Sequence, residues 1–253
     1  MLRVFPDLPS LTRSAADLFL ERLGYTAETS PFRVALSGGE TPEGFYRLLA
    51  SDPFLHSIPW KKVQLFWGDE RCVPSDDPRS NERMARRALV DHVPIPPTQV
   101  YPIRCEGSAR EAARRYGRLL QSLFGLEGPS FDWVLLGLGE DGHTASLFPG
   151  SHTLLETTEL ALATEGGDPD LPRVTLTLPA INRSACVVFL VSGDAKAAAL
   201  HAVLEGERDS TRWPAQHIRP QAGDLFWLVD EAAASRLDDL SSLTSQAAAR
   251  GNS

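Results

Sequence analysis

Residues 185–191, A-C-V-V-F-L-V, decide the fold class, because all seven side chains are apolar. A strand with one solvated face alternates apolar and polar residues, whereas a strand buried on both faces is apolar throughout. Strands of the second kind are typical of parallel sheets that carry helices on both faces. The segment therefore predicts a central strand of an α/β protein.

Strand-like and helix-like patterns alternate on both sides of this segment. Apolar runs predict further strands at 32–36, 63–67, 100–103, 131–136, 160–164, 174–178 and 225–229. Helical spacing predicts helices at 41–50, 81–90, 109–124, 195–204 and 231–237. This alternation indicates a mainly parallel sheet with helices on both faces, which is a three-layer sandwich. We expect one α/β catalytic domain over residues 1–240 and a flexible tail over 241–253, where Ala and Ser are enriched.

Composition and charge argue against several classes of protein. A chain of 253 residues that is 42% hydrophobic buries about three quarters of its unfolded surface on folding. A net charge of −8 without runs of Lys or Arg argues against a nucleic-acid partner. The N-terminus has no signal pattern and no apolar run is long enough to span a membrane. We therefore expect a cytoplasmic protein without a membrane partner.

The positions of the cysteines and the absence of known motifs argue against further classes of site. Cys72, Cys105 and Cys186 are far apart and form no C-x-x-C pair. We expect neither a disulfide framework nor a cysteine-based zinc site, as is typical of a reducing compartment. The motif H-E-x-x-H, the P-loop and the G-x-S-x-G elbow are absent too.

Ligands of parallel α/β sheets bind beyond the C-terminal ends of the strands, so we expect the site residues there. The first strong strand runs into S-G-G-E-T-P at 37–42. Two glycines and a proline in the first helical turn suit an anion site formed by backbone N–H groups. The alternative is an ordinary strand–helix turn with Thr41 as N-cap, and this loop alone does not decide between them.

Two further strand ends carry charged residues. G-D-E-R at 68–71 could be a solvated turn, but its position favours a functional role for Asp69 and Arg71. S-G-D-A-K at 192–196 predicts Asp194 as N-cap, which places Lys196 in the first helical turn. A cation there opposes the helix dipole, and an anionic ligand would reverse that penalty. We therefore expect Lys196 to bind phosphate or carboxylate.

The loop at 137–146, G-L-G-E-D-G-H-T-A-S, follows the strand predicted at 131–136. It matches G-x-G-x-x-G, but Glu140 and Asp141 would place negative charge against a pyrophosphate, and the match lies past mid-chain. We therefore reject a dinucleotide site. The more informative residue is His143, because a histidine titrates near neutrality and lies here in a glycine-rich loop at a strand end.

Together, S-G-G-E-T-P, W-G-D-E-R-x-V-P with S-N downstream, G-L-G-E-D-G-H-T-A-S-L-F-P, R-V-T-L-T-L-P-A-I-N and G-D-A-K resemble the 6-phosphogluconolactonase family. The resemblance covers nearly the whole chain. It implies hydrolysis of 6-phospho-D-glucono-1,5-lactone to 6-phosphogluconate in the pentose phosphate pathway, without metal or cofactor. It also implies a Rossmann-like fold shared with glucosamine-6-phosphate deaminases and isomerases.

The resemblance suggests a role for each candidate residue. His143 would act as general base and return the proton to the ring oxygen, with Asp141 orienting it. Arg71 and Arg173 would bind the oxyanion or the phosphate, and Asp69 would orient sugar hydroxyls or a cation. The remaining candidates for holding phosphate or hydroxyls are Ser37, Gly38, Gly39, Thr41 and Lys196.

Two alternatives remain. A glucosamine-6-phosphate deaminase typically reads Gly-His-Ile-Ala-Phe-Asn-Glu where this chain has G-H-T-A-S-L-F at 142–148, so the acidic residue after the histidine is absent. A non-catalytic sugar-phosphate sensor would not require a base in this loop. The expected partner is a small phosphorylated sugar lactone, and the expected assembly is a monomer or a small homo-oligomer.

Overall fold

The computed structural model describes residues 1–125, 130–167 and 171–238, and ten strands lie in these ranges. In chain order they are β1 Leu2–Phe5, β2 Phe32–Leu36, β3 Val63–Trp67, β4 Asp69–Arg71, β5 Val100–Tyr101, β6 Trp133–Leu136, β7 Ala161–Thr164, β8 Arg173–Leu176, β9 Cys186–Val191 and β10 Asp224–Asp230. Seven strands form a sheet in the order β1-β10-β9-β6-β2-β3-β5, with every neighbouring pair parallel. A separate antiparallel sheet has the order β4-β8-β7.

Eight α-helices connect these strands within the described ranges. They are α1 Leu8–Tyr25, α2 Glu40–Leu49, α3 Phe54–Ser57, α4 Asn81–Ala88, α5 Ala109–Phe124, α6 Leu178–Asn182, α7 Ala197–Leu204 and α8 Glu231–Ala234. Helix α5 begins with a capping box, which Ser108 and Glu111 form. None of the described helices is both long and apolar enough to cross a membrane.

Helices cover both faces of the large sheet. On one face, Phe19 of α1 packs edge-on against Phe32 and Trp133, with ring centroids 5.2 and 5.4 Å apart. On the other face, Phe124 of α5 packs against Phe66, at 5.4 Å. Strand β9 lies between β10 and β6, and all six of its residues are buried. The prediction of a mainly parallel α/β sheet with helices on both faces is therefore confirmed.

Several expectations differ from the structure or fall outside it. Residues 69–71, expected in a loop, form β4 because they pair with β8. The expectation of a chain without disulfides is wrong, because Cys72 and Cys105 are joined by one. The fold brings these residues, 33 apart in sequence, to a Cα–Cα distance of 5.1 Å. The helix expected over 81–90 ends at Ala88. The tail predicted at 241–253 lies outside the described residues.

Candidate active site

Four neighbouring strands of the large sheet, β9, β6, β2 and β3, end at the same edge because they are parallel. The segments that follow them are the four that the sequence predicts as candidates, at 192–196, 137–146, 37–42 and 68–71. Arg173 reaches this region through β8, which pairs with β4 directly after β3. The topology thus gathers the predicted residues at one sheet edge.

The loop after β6 holds a histidine–carboxylate pair. Asp141 Oδ1 lies 2.6 Å from His143 Nδ1 and also accepts a hydrogen bond from the His143 backbone N–H at 3.1 Å. Burial alone would raise the pKa of the Asp141 carboxyl, but the hydrogen bonds and charge of His143 outweigh it and lower the pKa. An ionised Asp141 accepts a hydrogen bond from the proton on Nδ1, so in the neutral imidazole Nε2 is the nitrogen with the lone pair.

Two glycines shape this loop. A Cβ on Gly139 would lie 2.0 Å from His143 Nδ1, so a larger residue would displace the imidazole. Gly142 has φ of +78°, and its Cβ would lie 2.5 Å from Cε3 of Trp213, which packs behind the loop. Close approach of a side chain to the backbone therefore explains the glycines, rather than the phosphate contact of a dinucleotide motif.

The residues after His143 tie the loop to its neighbours. The Thr144 hydroxyl donates to the Gly137 carbonyl at 2.8 Å. The Ser146 hydroxyl donates to Asp69 Oδ2 at 2.6 Å, and the Ser146 N–H donates to Thr175 Oγ1 at 3.2 Å. Asp69 is only 6% exposed. It therefore lies in the floor of the site, with one oxygen already committed to the histidine loop.

The glycine loop after β2 differs from expectation in two details. The Ser37 N–H donates to the Tyr46 hydroxyl, which donates in turn to the Ser37 carbonyl, both at 2.8 Å. That backbone amide is therefore occupied, whereas the Ser37 hydroxyl makes a long hydrogen bond to the Gly38 carbonyl, at 3.4 Å, which a ligand can replace. Thr41 as N-cap is wrong, because α2 begins at Glu40 with Gly39 as N-cap at φ +103°. Because Gly39 has no side chain to cap the helix, the backbone N–H groups of the first turn, near Thr41, have no capping side chain as acceptor.

Asn81 connects the glycine loop to the charged residues after β3, although the sequence did not predict it as a site residue. Its Nδ2 donates to the Asp69 carbonyl at 2.9 Å, and its Oδ1 accepts from Arg71 Nη1 at 2.6 Å. A Cβ on Gly38 would lie 2.0 Å from Asn81 Oδ1, so the glycine is needed for this approach. The Ser-Asn pair at the start of a predicted helix was the available signal.

Buried Glu70 fixes the position of Asn81. Its carboxylate accepts hydrogen bonds from the backbone N–H groups of Arg71, Asn81 and Glu82, at 2.7, 2.8 and 2.7 Å. The Ser80 hydroxyl donates to it at 3.0 Å. Burial raises the pKa of the Glu70 carboxyl, although these four donors favour the ionised form. Glu70 thus holds the start of α4, where Asn81 projects toward Arg71.

Three cations lie around the histidine loop. Arg71 and Arg173 are direct partners across β4 and β8, an arrangement of like charges that is unfavourable unless an anion lies nearby. Lys196 Nζ lies 4.0 Å from Glu140 of the histidine loop. The prediction of Asp194 as N-cap is wrong, since Gly193 precedes a 3-10 turn and Lys196 itself precedes α7. Lys196 still lies at the start of that helix.

Metal-ligating side chains come together elsewhere in the described chain. The group close enough to share one ion is His201, Glu205 and Asp238, whose ligand atoms lie within 4.8 Å of one another. These residues belong to α7 and to the segment after α8, whereas the site loops follow β2, β3, β6 and β9. No step at the candidate site is therefore assigned to them.

Comparisons with known proteins agree with this geometry. The family model for glucosamine-6-phosphate isomerases/6-phosphogluconolactonase matches residues 6–227. A 6-phosphogluconolactonase of Synechocystis sp. is 45% identical over 215 residues, covering 83% of this chain and 87% of that protein. The solved structure of 6-phosphogluconolactonase from Trypanosoma brucei has a TM-score of 0.85 at 29% identity, covering 94% of this chain and 98% of that one. A monomeric glucosamine-6-phosphate deaminase shares the fold, with a TM-score of 0.79 at 22% identity over 93% of this chain and 99% of that one.

Proposed function

The chain belongs to the glucosamine-6-phosphate isomerase/6-phosphogluconolactonase family, and we propose that it hydrolyses 6-phospho-D-glucono-1,5-lactone to 6-phospho-D-gluconate. It is then a carboxylic ester hydrolase of the oxidative branch of the pentose phosphate pathway. The observation that carries the proposal is the Asp141–His143 pair, which lies at the same sheet edge as the cross-strand neighbours Arg71 and Arg173. A base and an anion site at one sheet edge are what an anionic lactone requires.

Lactone cleavage by water needs a base for the water, stabilisation of an oxyanion and a proton for the ring oxygen. His143 Nε2 takes a proton from water as the water oxygen attacks the lactone carbonyl carbon. The tetrahedral intermediate collapses by breaking the bond between that carbon and the ring oxygen. The imidazolium returns its proton to the ring oxygen, and the new carboxylic acid ionises. Asp141 stabilises the imidazolium between these two transfers.

The substrate phosphate requires a cationic pocket in a protein whose net charge is −8. The proposed donors are the Ser37 hydroxyl and the N–H groups near Gly39 and Thr41, at the N-terminus of α2. Gly38 allows the backbone to approach, and the countercharges are Arg71, Arg173 and Lys196. A guanidinium can meet two oxygens of a phosphate at once, which favours an arginine for that contact. Asp69 orients a sugar hydroxyl from the floor of the site.

One assay separates the proposed function from its rivals. Purified protein is given 6-phosphogluconolactone while acid release above spontaneous hydrolysis is followed, and then glucosamine 6-phosphate while ammonia is followed. We expect catalysed acid release and no ammonia. Ammonia release would establish the deaminase instead, and binding of the sugar phosphate without either product would establish a sensor. The 45% identity to the 6-phosphogluconolactonase of Synechocystis sp. favours the lactonase.

The proposal also bears on partners and location. A small phosphorylated sugar lactone is the proposed partner, with neither nucleic acid nor membrane taking part. Its substrate and product are water-soluble metabolites, which suits the cytoplasm. A monomer or a small homo-oligomer, with all site residues supplied by one chain, is sufficient for the chemistry. The proposed steps use neither a metal nor a cofactor.

A further inference from the structure

The aromatic ring of Phe148 lies against the imidazole of His143. The two ring centroids are 4.8 Å apart and the ring planes are inclined by 45°. The guanidinium carbon of Arg173 lies 5.6 Å from the centroid of the same aromatic ring. Phe148 is only 6% exposed, so protein atoms surround most of its surface. One apolar side chain therefore contacts both the proposed base and a proposed substrate-binding cation.

Two consecutive glycines after β7 cover this ring. A Cβ on Gly166 would lie 2.7 Å from Phe148 Cδ2, and a Cβ on Gly167 would lie 2.8 Å from Phe148 Cζ. The second Cβ would also lie 3.4 Å from Arg173 Nη2. Both glycines have positive φ, +147° and +72°, which L-residues rarely adopt. The backbone closes on Phe148 in a way that a larger residue would prevent.

Hydrogen bonds fix the backbone on both sides of Phe148. Both hydrogen bonds of Ser146, to Asp69 and to Thr175, lie two residues before it. Leu147 is completely buried, and the Phe148 carbonyl accepts a hydrogen bond from the Ser151 N–H at 3.1 Å. With its backbone fixed and its ring covered, Phe148 has little room to move away from the imidazole.

We propose that Phe148, clamped beneath Gly166 and Gly167, is a positioning residue that sets the plane of the His143 imidazole and the place of the Arg173 guanidinium. This inference rests on the proposed function, which gives His143 and Arg173 their roles. The Asp141 hydrogen bond holds one atom of the imidazole, Nδ1, and by itself lets the ring plane tilt. The ring of Phe148 supplies a further constraint without placing another charge beside the base.

Kinetics on 6-phosphogluconolactone test the proposal through the Phe148→Leu variant, which keeps an apolar side chain but removes the ring face. A displacement of about 1 Å at a reacting group can cost about 10²-fold in rate. We therefore expect kcat to fall roughly 10- to 100-fold and KM to rise severalfold, since both neighbours lose their support. A merely structural role would lower the active fraction and leave KM unchanged. Retention of kcat and KM within about twofold of wild type would overturn the proposal.

A double-variant cycle tests the clamp itself. Gly167→Ala places a methyl group against Phe148 Cζ, and we expect a loss of roughly tenfold or more in kcat. In the Phe148→Leu background the same change adds little, because leucine has no Cε1 or Cζ atom to displace. Gly125→Ala is the matched control, since Gly125 has φ of +71° but no atom within 4 Å of its Cβ. Additive losses, or equal losses for Gly167→Ala and Gly125→Ala, would contradict the clamp.

A spectroscopic measurement separates this inference from the proposed function. In wild type, the ring current of Phe148 shifts the carbon-bound imidazole protons of His143, whose resonances are assigned by comparison with His143→Gln. We expect these resonances to move toward their values in an unstructured peptide in Phe148→Leu. Identical resonances in the two proteins would refute the ring contact. Wild-type protein that fails to hydrolyse the lactone would instead refute the proposed function.

Discussion

Replacing Asp141 by asparagine removes the negative charge beside the proposed base and keeps the shape of the side chain. In the proposed mechanism that charge stabilises the imidazolium that forms when His143 takes a proton from water. Asp141 Oδ1 and His143 Nδ1 are 2.6 Å apart, so the centres of the two charges are separated by about 4 Å. The variant therefore measures one electrostatic interaction at the reacting centre.

The size of the effect follows from this distance and from solvent exposure. At about 4 Å, two unit charges attract by about 1 kcal/mol in bulk water and about 4 kcal/mol at an effective dielectric constant of 20. The side chains of His143 and Asp141 are 34% and 50% exposed, so the pair lies between these limits. An interaction of about 2–3 kcal/mol corresponds to a fall in kcat of about 30- to 150-fold.

The pH range over which the effect appears follows from Asp141. The pKa of the Asp141 carboxyl is lowered in the folded protein, so this group stays ionised throughout the neutral range. The charge that Asp141→Asn removes is therefore present in wild type across that range, and the variant should have a lowered kcat throughout it.

Acid release from 6-phosphogluconolactone, corrected for spontaneous hydrolysis, measures the effect. Glu140→Gln is the matched control, because it removes a charge from the same loop at a side chain that is 70% exposed and lies near Lys196. We expect its kcat to stay within about twofold of wild type. An Asp141→Asn variant with unchanged kcat across the neutral range would refute the reasoning.

Three further predictions concern the surroundings of the site. Gly38→Ala places a methyl group 2.0 Å from Asn81 Oδ1 and should raise the KM for the lactone roughly tenfold in steady-state kinetics. Gly44→Ala is the control and should leave KM unchanged, because no atom lies within 4 Å of a Cβ at that position. Cys105→Ser removes a bond between cysteines 33 residues apart and should lower the free energy of unfolding by about 3–4 kcal/mol. A wild-type urea midpoint that is the same with and without a reductant would contradict the disulfide. Glu70→Gln replaces one carboxylate oxygen, which accepts from two of the four donors, by an amide group that donates, and it should cost about 2–3 kcal/mol in urea unfolding. Amide exchange should be faster at Asn81 or at Glu82, whose N–H groups bind different oxygens of Glu70, and unchanged exchange at both would contradict the role of Glu70.

The central elements could be predicted from the sequence because local signals agree with the tertiary structure. The predicted strands at 32–36 and 63–67 have the observed bounds, and so does the predicted helix at 109–124. Each of these strands is largely apolar and lies inside the sheet, with a neighbouring strand on both sides. The helix has a capping box at its start and Gly125 at its end. The rule that ligands bind at strand ends then located the four site loops.

Other elements depend on partners distant in sequence. The helix α1 was not predicted, since its buried face includes the small residues Ala15 and Ala16, which weaken the apolar pattern. The strand β4 consists of three charged residues, D-E-R, and becomes a strand by pairing with β8 about 100 residues later. Propensity alone assigns these residues to a loop.

The same limit applies within the site. Asn81 was missed because its role arises from contact with Gly38 and Arg71, which belong to other loops. In the sequence, Phe148 does not differ from other apolar residues, because its role depends on its contact with Gly166 and Gly167. The bond between Cys72 and Cys105 likewise forms because the fold brings two separate segments together. Spacing along the chain could predict which loops form the site, but not these contacts between them.

The most direct test of the central claim is the turnover of 6-phosphogluconolactone by wild type and by His143→Ala. A positioned general base typically contributes about 10²–10⁴-fold to the rate. We expect wild type to accelerate acid release and the variant to lose that factor in kcat, with circular dichroism and the unfolding midpoint unchanged. Near wild-type turnover by a folded His143→Ala protein would contradict the assignment of His143 as the base.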